Sequence, residues 1–173
     1  MKDTTSKKIE VLANISIIVV ALLACVLLVQ NLLPSITRRP TAKATALAPP
    51  VGSNVSLPGV EWGLRNGNLL LILSTKCHFC ADNAPFYKAL INETKKRGNI
   101  ELIAILPQTV RESEIYLRGL GLAIDKVVQA SLSSVGARGT PTLVLIDNKG
   151  KVKNTWMGRI TPDKQSEVLR QLQ

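Results

Sequence analysis

Residues 69–85 read Leu-Leu-Leu-Ile-Leu-Ser-Thr-Lys-Cys-His-Phe-Cys-Ala-Asp-Asn-Ala-Pro. The first five form a short, unbroken apolar run, the pattern of a strand buried on both faces of a sheet. Ser74-Thr75-Lys76 ends that run. From there to Arg97, Ala84, Tyr87, Leu90 and Ile91 recur at helical spacing, and Gly98 stops the helix. Pro85 lies inside this segment and predicts a kink, because its ring removes a helical donor and crowds the preceding turn. Cys77 and Cys80 therefore fall where a buried strand gives way to a helix.

That placement decides their chemistry. One helical turn separates the two cysteines, which puts them on one face and within reach of a disulfide. At a helix N-terminus, unsatisfied backbone N–H groups and the helix dipole favour a thiolate over a thiol. Cys77 gains most because it lies nearest the terminus, and Lys76 and a protonated His78 add positive charge that tunes it further. Cys77 is thus the expected nucleophile and Cys80 the resolving thiol. Thiolate Cys77 attacks a substrate disulfide, and Cys80 then attacks the Cys77 sulfur and releases the reduced substrate; the reverse sequence oxidises a dithiol. A purely structural disulfide is the bland alternative. Structural zinc would need two more ligands, yet the one histidine is His78 itself and the third cysteine, Cys25, lies in an apolar N-terminal segment. Covalent haem needs a histidine after the second cysteine, where Ala81 stands. No bound cofactor or metal is expected, although two thiolates suit Cu(I), so a copper-delivery module remains the binding-class alternative.

The same pattern continues outward. Ile100–Leu106 reads as a second buried strand, Val110–Arg118 as a helix closed by Gly119, Lys126–Ala130 as a short third strand and Thr142–Ile146 as a fourth. Asp147-Asn148-Lys149-Gly150 is a tight turn, after which Lys151–Trp156 returns as a hairpin partner. A last helix is expected from Pro162 to Leu172, with Thr161 as its cap. The order β-α-β-α-β-β-α is that of an α/β domain, a mixed sheet covered by helices. Trp62 and Trp156 read as core residues.

Directly before the fourth strand stands Gly136-Ala137-Arg138-Gly139-Thr140-Pro141-Thr142. A proline is tolerated at a strand's first residue, where no ladder donor is needed. With the Cys-x-x-Cys pair upstream, the segment from about Val55 to Gln173 resembles thioredoxin-fold proteins, in particular the membrane-anchored TlpA/ResA type of thiol-disulfide oxidoreductase. Pro85, Asp147, Gly150 and Gly158 also match that pattern. The resemblance implies that Pro141 is cis and packs beside the disulfide, and that the backbone of Thr140 pairs with the substrate chain. It also implies protein disulfide or dithiol substrates, electron supply from a membrane thiol donor, and service to envelope thiol homeostasis or cytochrome c maturation. Three positions depart from the family: Lys76 replaces a usual Trp, Asn83 a frequent Glu, and Leu71 the buried Asp of thioredoxins. His-Phe between the cysteines is unusual and brings in a second direction, a DsbA-like disulfide donor, because a histidine there stabilises the reduced thiolate.

Upstream the composition changes. Of the chain's 173 residues 46% are hydrophobic and its formal net charge is +10, yet no charged side chain occurs between Glu10 and Arg38. About 20 helical residues cross a hydrocarbon core, so residues 11–33 are expected to be a transmembrane anchor after a cytoplasmic segment 1–10. A cleaved signal peptide has a shorter apolar core. Leu22-Leu23-Ala24-Cys25 resembles a lipobox, but the apolar run continues past Cys25. Residues 34–56, rich in Pro, Ala and Thr, are expected to form a flexible linker, and residues 57–173 the thioredoxin-like domain. Basic residues flank the apolar run on both sides, so the positive-inside rule does not orient it. Redox chemistry does: the expected location is the inner membrane, single-pass, with the domain outside the cytoplasm on the periplasmic or extracellular face, held to lipid by its anchor. An aromatic content of 3% leaves few rings to stack on bases, which argues against nucleic acid as the partner of the positive charge.

Overall fold

The structure, a computed structural model, describes residues 15–25, 27 and 48–172. Residues 15–25 are helical and exposed. The other parts of the expected anchor 11–33 except Leu27, all of segment 1–10 and most of the linker 34–56 lie outside the described residues. Among the described residues no helix is long and apolar enough to cross a membrane.

The second unit of the chain runs from Ala46 onward and is built on a five-stranded sheet. Its strands are β1 (Gly67–Ile72), β2 (Ile100–Leu106), β3 (Lys126–Gln129), β4 (Thr142–Asp147) and β5 (Val152–Met157). Their spatial order is β3-β2-β1-β4-β5. β1 pairs parallel with β2 and antiparallel with β4, so it lies at the centre. All six β1 residues are buried, as the unbroken apolar run requires. Leu69, Leu71 and Leu73 face one core cluster and Leu70 and Ile72 the other, the two-residue alternation of a strand covered on both sides.

The two coverings differ in kind. On the Leu69 face pack helices α2 (Ala84–Arg97), α3 (Val110–Gly119) and α4 (Pro162–Gln171), through Phe86, Tyr87, Leu90, Leu117 and Val168. On the Leu70 face no α-helical residue enters the cluster; Val55, Leu57, Trp62, Val135 and Ala137 cover it from extended and 3-10 segments. The sheet is mixed and carries helices as expected, but they are gathered on one side.

Three local expectations change. Pro85 does not kink a continuous helix. It sits near the start of α2, after a separate short helix α1 (His78–Asp82), with Asn83 between them. A proline is at home there because the first turn has no intrahelical use for its missing N–H. Thr161 occupies the N-cap of α4, but its side chain makes no capping hydrogen bond. The downstream end of the stretch read as linker is laid along the sheet edge: Val152 N–H donates to Ser53 O and Gly52 N–H to Val152 O, both at 2.8 Å, and Val55 is buried. Apolar Val55 and Leu57 have a face of the sheet to cover, which draws the ordered chain upstream of where composition alone would start it.

Two carboxylates are held in place by local hydrogen bonds. Glu112 accepts from the Thr109 hydroxyl (2.6 Å) and the Thr109 backbone N–H (3.0 Å), closing a capping box at α3 and holding its carboxyl below the usual range. Asp147 accepts from the backbone N–H groups of Lys151 and Lys149, each at 2.9 Å, and is lowered likewise. A carboxylate more acidic in the folded state contributes stability above its unfolded pKa and loses that contribution as pH falls through its folded value. The urea midpoint should therefore fall below about pH 4, and Glu112→Gln with Asp147→Asn should flatten that decline. Gly150, in the same turn, has φ +82°, and a Cβ there would lie 2.7 Å from Trp62 Cδ1. Gly150→Ala should cost about 2 kcal/mol in chemical denaturation, from backbone strain and overpacking together.

Candidate active site

β1 delivers the chain to the site. Leu73 N–H still donates to Ile105 O (2.9 Å), after which Ser74 O accepts from Cys77 N–H at 3.1 Å. Cys77 then caps α1 with extended backbone geometry, and its Sγ accepts from the backbone N–H of Cys80 at 3.1 Å. A hydrogen bond to sulfur from a helix-start N–H stabilises the ionised form over the neutral one. Cys77 and Cys80 are paired as a disulfide with their Cα atoms 5.2 Å apart. The two sulfurs are not equivalent to an incoming molecule. Cys77 is half-buried, whereas Cys80 is fully buried in the helix-side cluster.

The side chains flanking the pair point outward. His78 is 83% exposed, and its Nε2 lies 3.4 Å from Asp82 Oδ2, one turn along α1. Phe79, between the cysteines, is half exposed and lies beside His78, the ring centroids 5.9 Å apart and the planes tilted by 58°. Lys76 is exposed, and its backbone N–H donates to Ser74 Oγ at 3.3 Å. Leu71, at the position of the thioredoxin Asp, is fully buried among apolar side chains. Tyr87 shares that cluster; burial, and secondarily Tyr116, pushes its hydroxyl above the ordinary range, so it stays protonated at neutral pH.

The second expected segment lies alongside. The Thr140–Pro141 peptide is cis, Pro141 is buried and Thr140 half-buried. The antiparallel register pairs Thr142, the residue after Pro141, with Ile72, the last residue of β1, so the cis-proline loop and the exit of β1 lie at the same end of the sheet. Thr142 Oγ1 donates to Gly139 O at 2.8 Å and fastens the loop to the start of β4.

A third component is the loop between β5 and α4, in which the sequence marked Gly158 but not the contacts it makes. Gly158 N–H donates to Pro141 O (2.8 Å), and Ile160 N–H donates to Asn83 Oδ1 (3.3 Å). Asn83 Nδ2 in turn donates to Phe79 O at 2.6 Å. Asn83 was legible only as a departure from a family pattern; an Asn just before Ala84-Pro85 is also a helix-start signal, which would have marked the break.

The fold is shared with solved structures. The thioredoxin domain of a thiol-disulfide oxidoreductase from Bacteroides vulgatus matches with a TM-score of 0.57 and 14% identity, over 73% of this chain and 100% of that one. A protein from Chlorobium tepidum described as a thiol:disulfide interchange protein DsbE gives 0.56 and 18%, over 71% and 95%. A thiol-disulfide oxidoreductase from Bacteroides fragilis NCTC 9343 gives 0.53 and 23%, over 72% and 100%. No protein-family model and no curated protein matches the chain. At these identities the likeness is one of architecture: the chain has a thioredoxin-like fold.

The unequal burial of the two sulfurs makes a direct prediction. After reduction, iodoacetamide should modify Cys77 about tenfold faster than Cys80 at neutral pH, since rate follows thiolate character and access. Mass spectrometry of timed aliquots reads the ratio.

Proposed function

We propose that this chain is a membrane-tethered protein thiol-disulfide oxidoreductase that works as a reductase on protein disulfides outside the cytoplasm. One observation carries the reading: a half-exposed Cys77 at a helix start accepts the Cys80 N–H, is bonded to a buried Cys80, and follows the end of β1 at which the cis-proline loop enters β4. The parts have separate tasks. Cys77 is the nucleophile; its thiolate attacks one sulfur of the substrate disulfide, forming a mixed disulfide and releasing the other sulfur as a thiolate that takes up a proton. Cys80 then attacks the Cys77 sulfur, which frees the substrate as a dithiol and leaves the Cys77–Cys80 disulfide. Thr140 presents backbone to the substrate chain, and Pro141 keeps that edge free of a competing donor. Lys76 places positive charge on the flank of the Cys77 thiolate, and His78, the next residue after Cys77, has Asp82 beside it.

Each turnover leaves the domain oxidised, so a membrane thiol donor must return two electrons. The anchor, residues 11–33, and the upstream part of the linker would hold the folded domain near such a donor and near envelope substrates, raising their effective concentration. The names of the fold's relatives, thiol-disulfide oxidoreductase and thiol:disulfide interchange protein, support the reaction class. Envelope thiol homeostasis, with cytochrome c maturation as one instance, is the cellular role that fits a tethered reductase.

Trapping tests the mechanism. In cells, Cys80→Ser should accumulate mixed disulfides with partner proteins, visible as higher-mass bands on non-reducing gels that collapse with dithiothreitol. Cys77→Ser should accumulate none. Absence of any trapped partner in Cys80→Ser would contradict the exchange mechanism. A reporter fused after Gln173 should be active only outside the cytoplasm, and activity confined to the cytoplasm would overturn the compartment assignment.

A further inference from the structure

We infer that Asn83 is a positioning residue, a buried amide that pins the redox helix to the cis-proline loop and so makes the site competent for polypeptide substrates. The inference rests on the oxidoreductase reading above.

It starts from the helix break. In a continuous helix the backbone N–H of residue 83 would donate to Phe79 O, four residues earlier. Here the backbone turns at Asn83, and its N–H goes to Ala81 O instead. Phe79 O, the carbonyl between the two cysteines, loses its usual donor. The side chain supplies the replacement: Asn83 Nδ2 donates to Phe79 O at 2.6 Å. The other half of the same amide faces the opposite way and accepts from Ile160 N–H at 3.3 Å. Two residues back along that loop, Gly158 N–H donates to Pro141 O at 2.8 Å. A path of three hydrogen bonds thus runs from the Cys77–Cys80 turn, through Asn83 and residues 158–160, to the cis-proline.

The residue is suited to the task and hard to replace. Asn83 is 6% exposed, so water does not compete for its amide, and both bonds act in a low-dielectric setting. Donor and acceptor are both needed. Asp offers two acceptors and would set a negative oxygen against Phe79 O, and an apolar side chain offers neither.

The consequence is selective. A small disulfide needs only Cys77, whereas a polypeptide must engage Cys77 and the Thr140 backbone together, in one geometry. Loosening the pin therefore harms the second reaction more than the first. The test uses the full-length chain, with dithiothreitol as electron donor for insulin reduction and 5,5′-dithiobis(2-nitrobenzoate) as the small disulfide attacked by the pre-reduced protein. Asn83→Asp, nearly isosteric, should lower kcat/KM for insulin about tenfold while changing the rate with the small disulfide less than about twofold. Asn83→Gln, which keeps donor and acceptor on a longer arm, should recover part of the insulin rate. If Asn83→Asp is unfolded at the assay temperature, Asn83→Ala, which removes both hydrogen bonds without adding charge, decides by the same ratio. A ratio of the two rates equal to wild type in the variant that lacks the bonds overturns the inference, because a merely structural residue would scale both rates with the folded fraction. A wild-type chain that reacts with neither probe overturns the oxidoreductase reading itself.

Discussion

A single turn of chain between two cysteines, closed by the Cys80 N–H on Cys77 Sγ, is the constraint around which the domain is arranged. For that turn to form, the chain must leave the sheet at a fixed point and start a helix at once. β1 provides the fixed point: it lies at the centre of the sheet, paired on both edges and buried on both faces. The exit from β1 is therefore the most rigidly placed spot the fold can offer, and sites held on such elements are more precise than sites on free loops. The asymmetry of the two sulfurs follows from the same turn. The cap residue stands at the rim, half-buried, while the residue one turn later is carried into the core.

Much of this was legible in the residues themselves. β2 falls at Ile100–Leu106 as the apolar run implied, and β1 and β4 lie within two residues of their expected limits, because a strand buried on both faces leaves an unbroken apolar signature. The turn at Asp147–Gly150 was equally plain, since its side-chain acceptor and glycine are local devices. What escaped the sequence depends on distant partners. Asn83 is polar and lies next to a helix-start proline, and nothing local says that its amide is buried against Ile160, 77 positions away. The clustering of helices on one face is another such case: Val55 and Leu57 look like ordinary loop hydrophobics until the sheet they cover is in place.

The departures from the family pattern gain physical content from the geometry. Leu71 and Cys80 belong to the same buried cluster, and among the described residues that cluster holds no carboxylate. Tyr87, a polar side chain in the same cluster, stays protonated and offers a donor rather than a base. His78 and Phe79 lie outside the core, exposed beside the disulfide, while Cys80 and Leu71 are buried within it.

The reduction potential of the Cys77–Cys80 couple, measured on the full-length chain in dithiothreitol and glutathione buffers, tests the central claim most directly. A reversible two-electron transition near thioredoxin's value of about −270 mV is the result this account predicts for a reductase. A value near −120 mV would contradict it and mark a disulfide donor. No reversible transition at all would remove the pair from redox chemistry altogether.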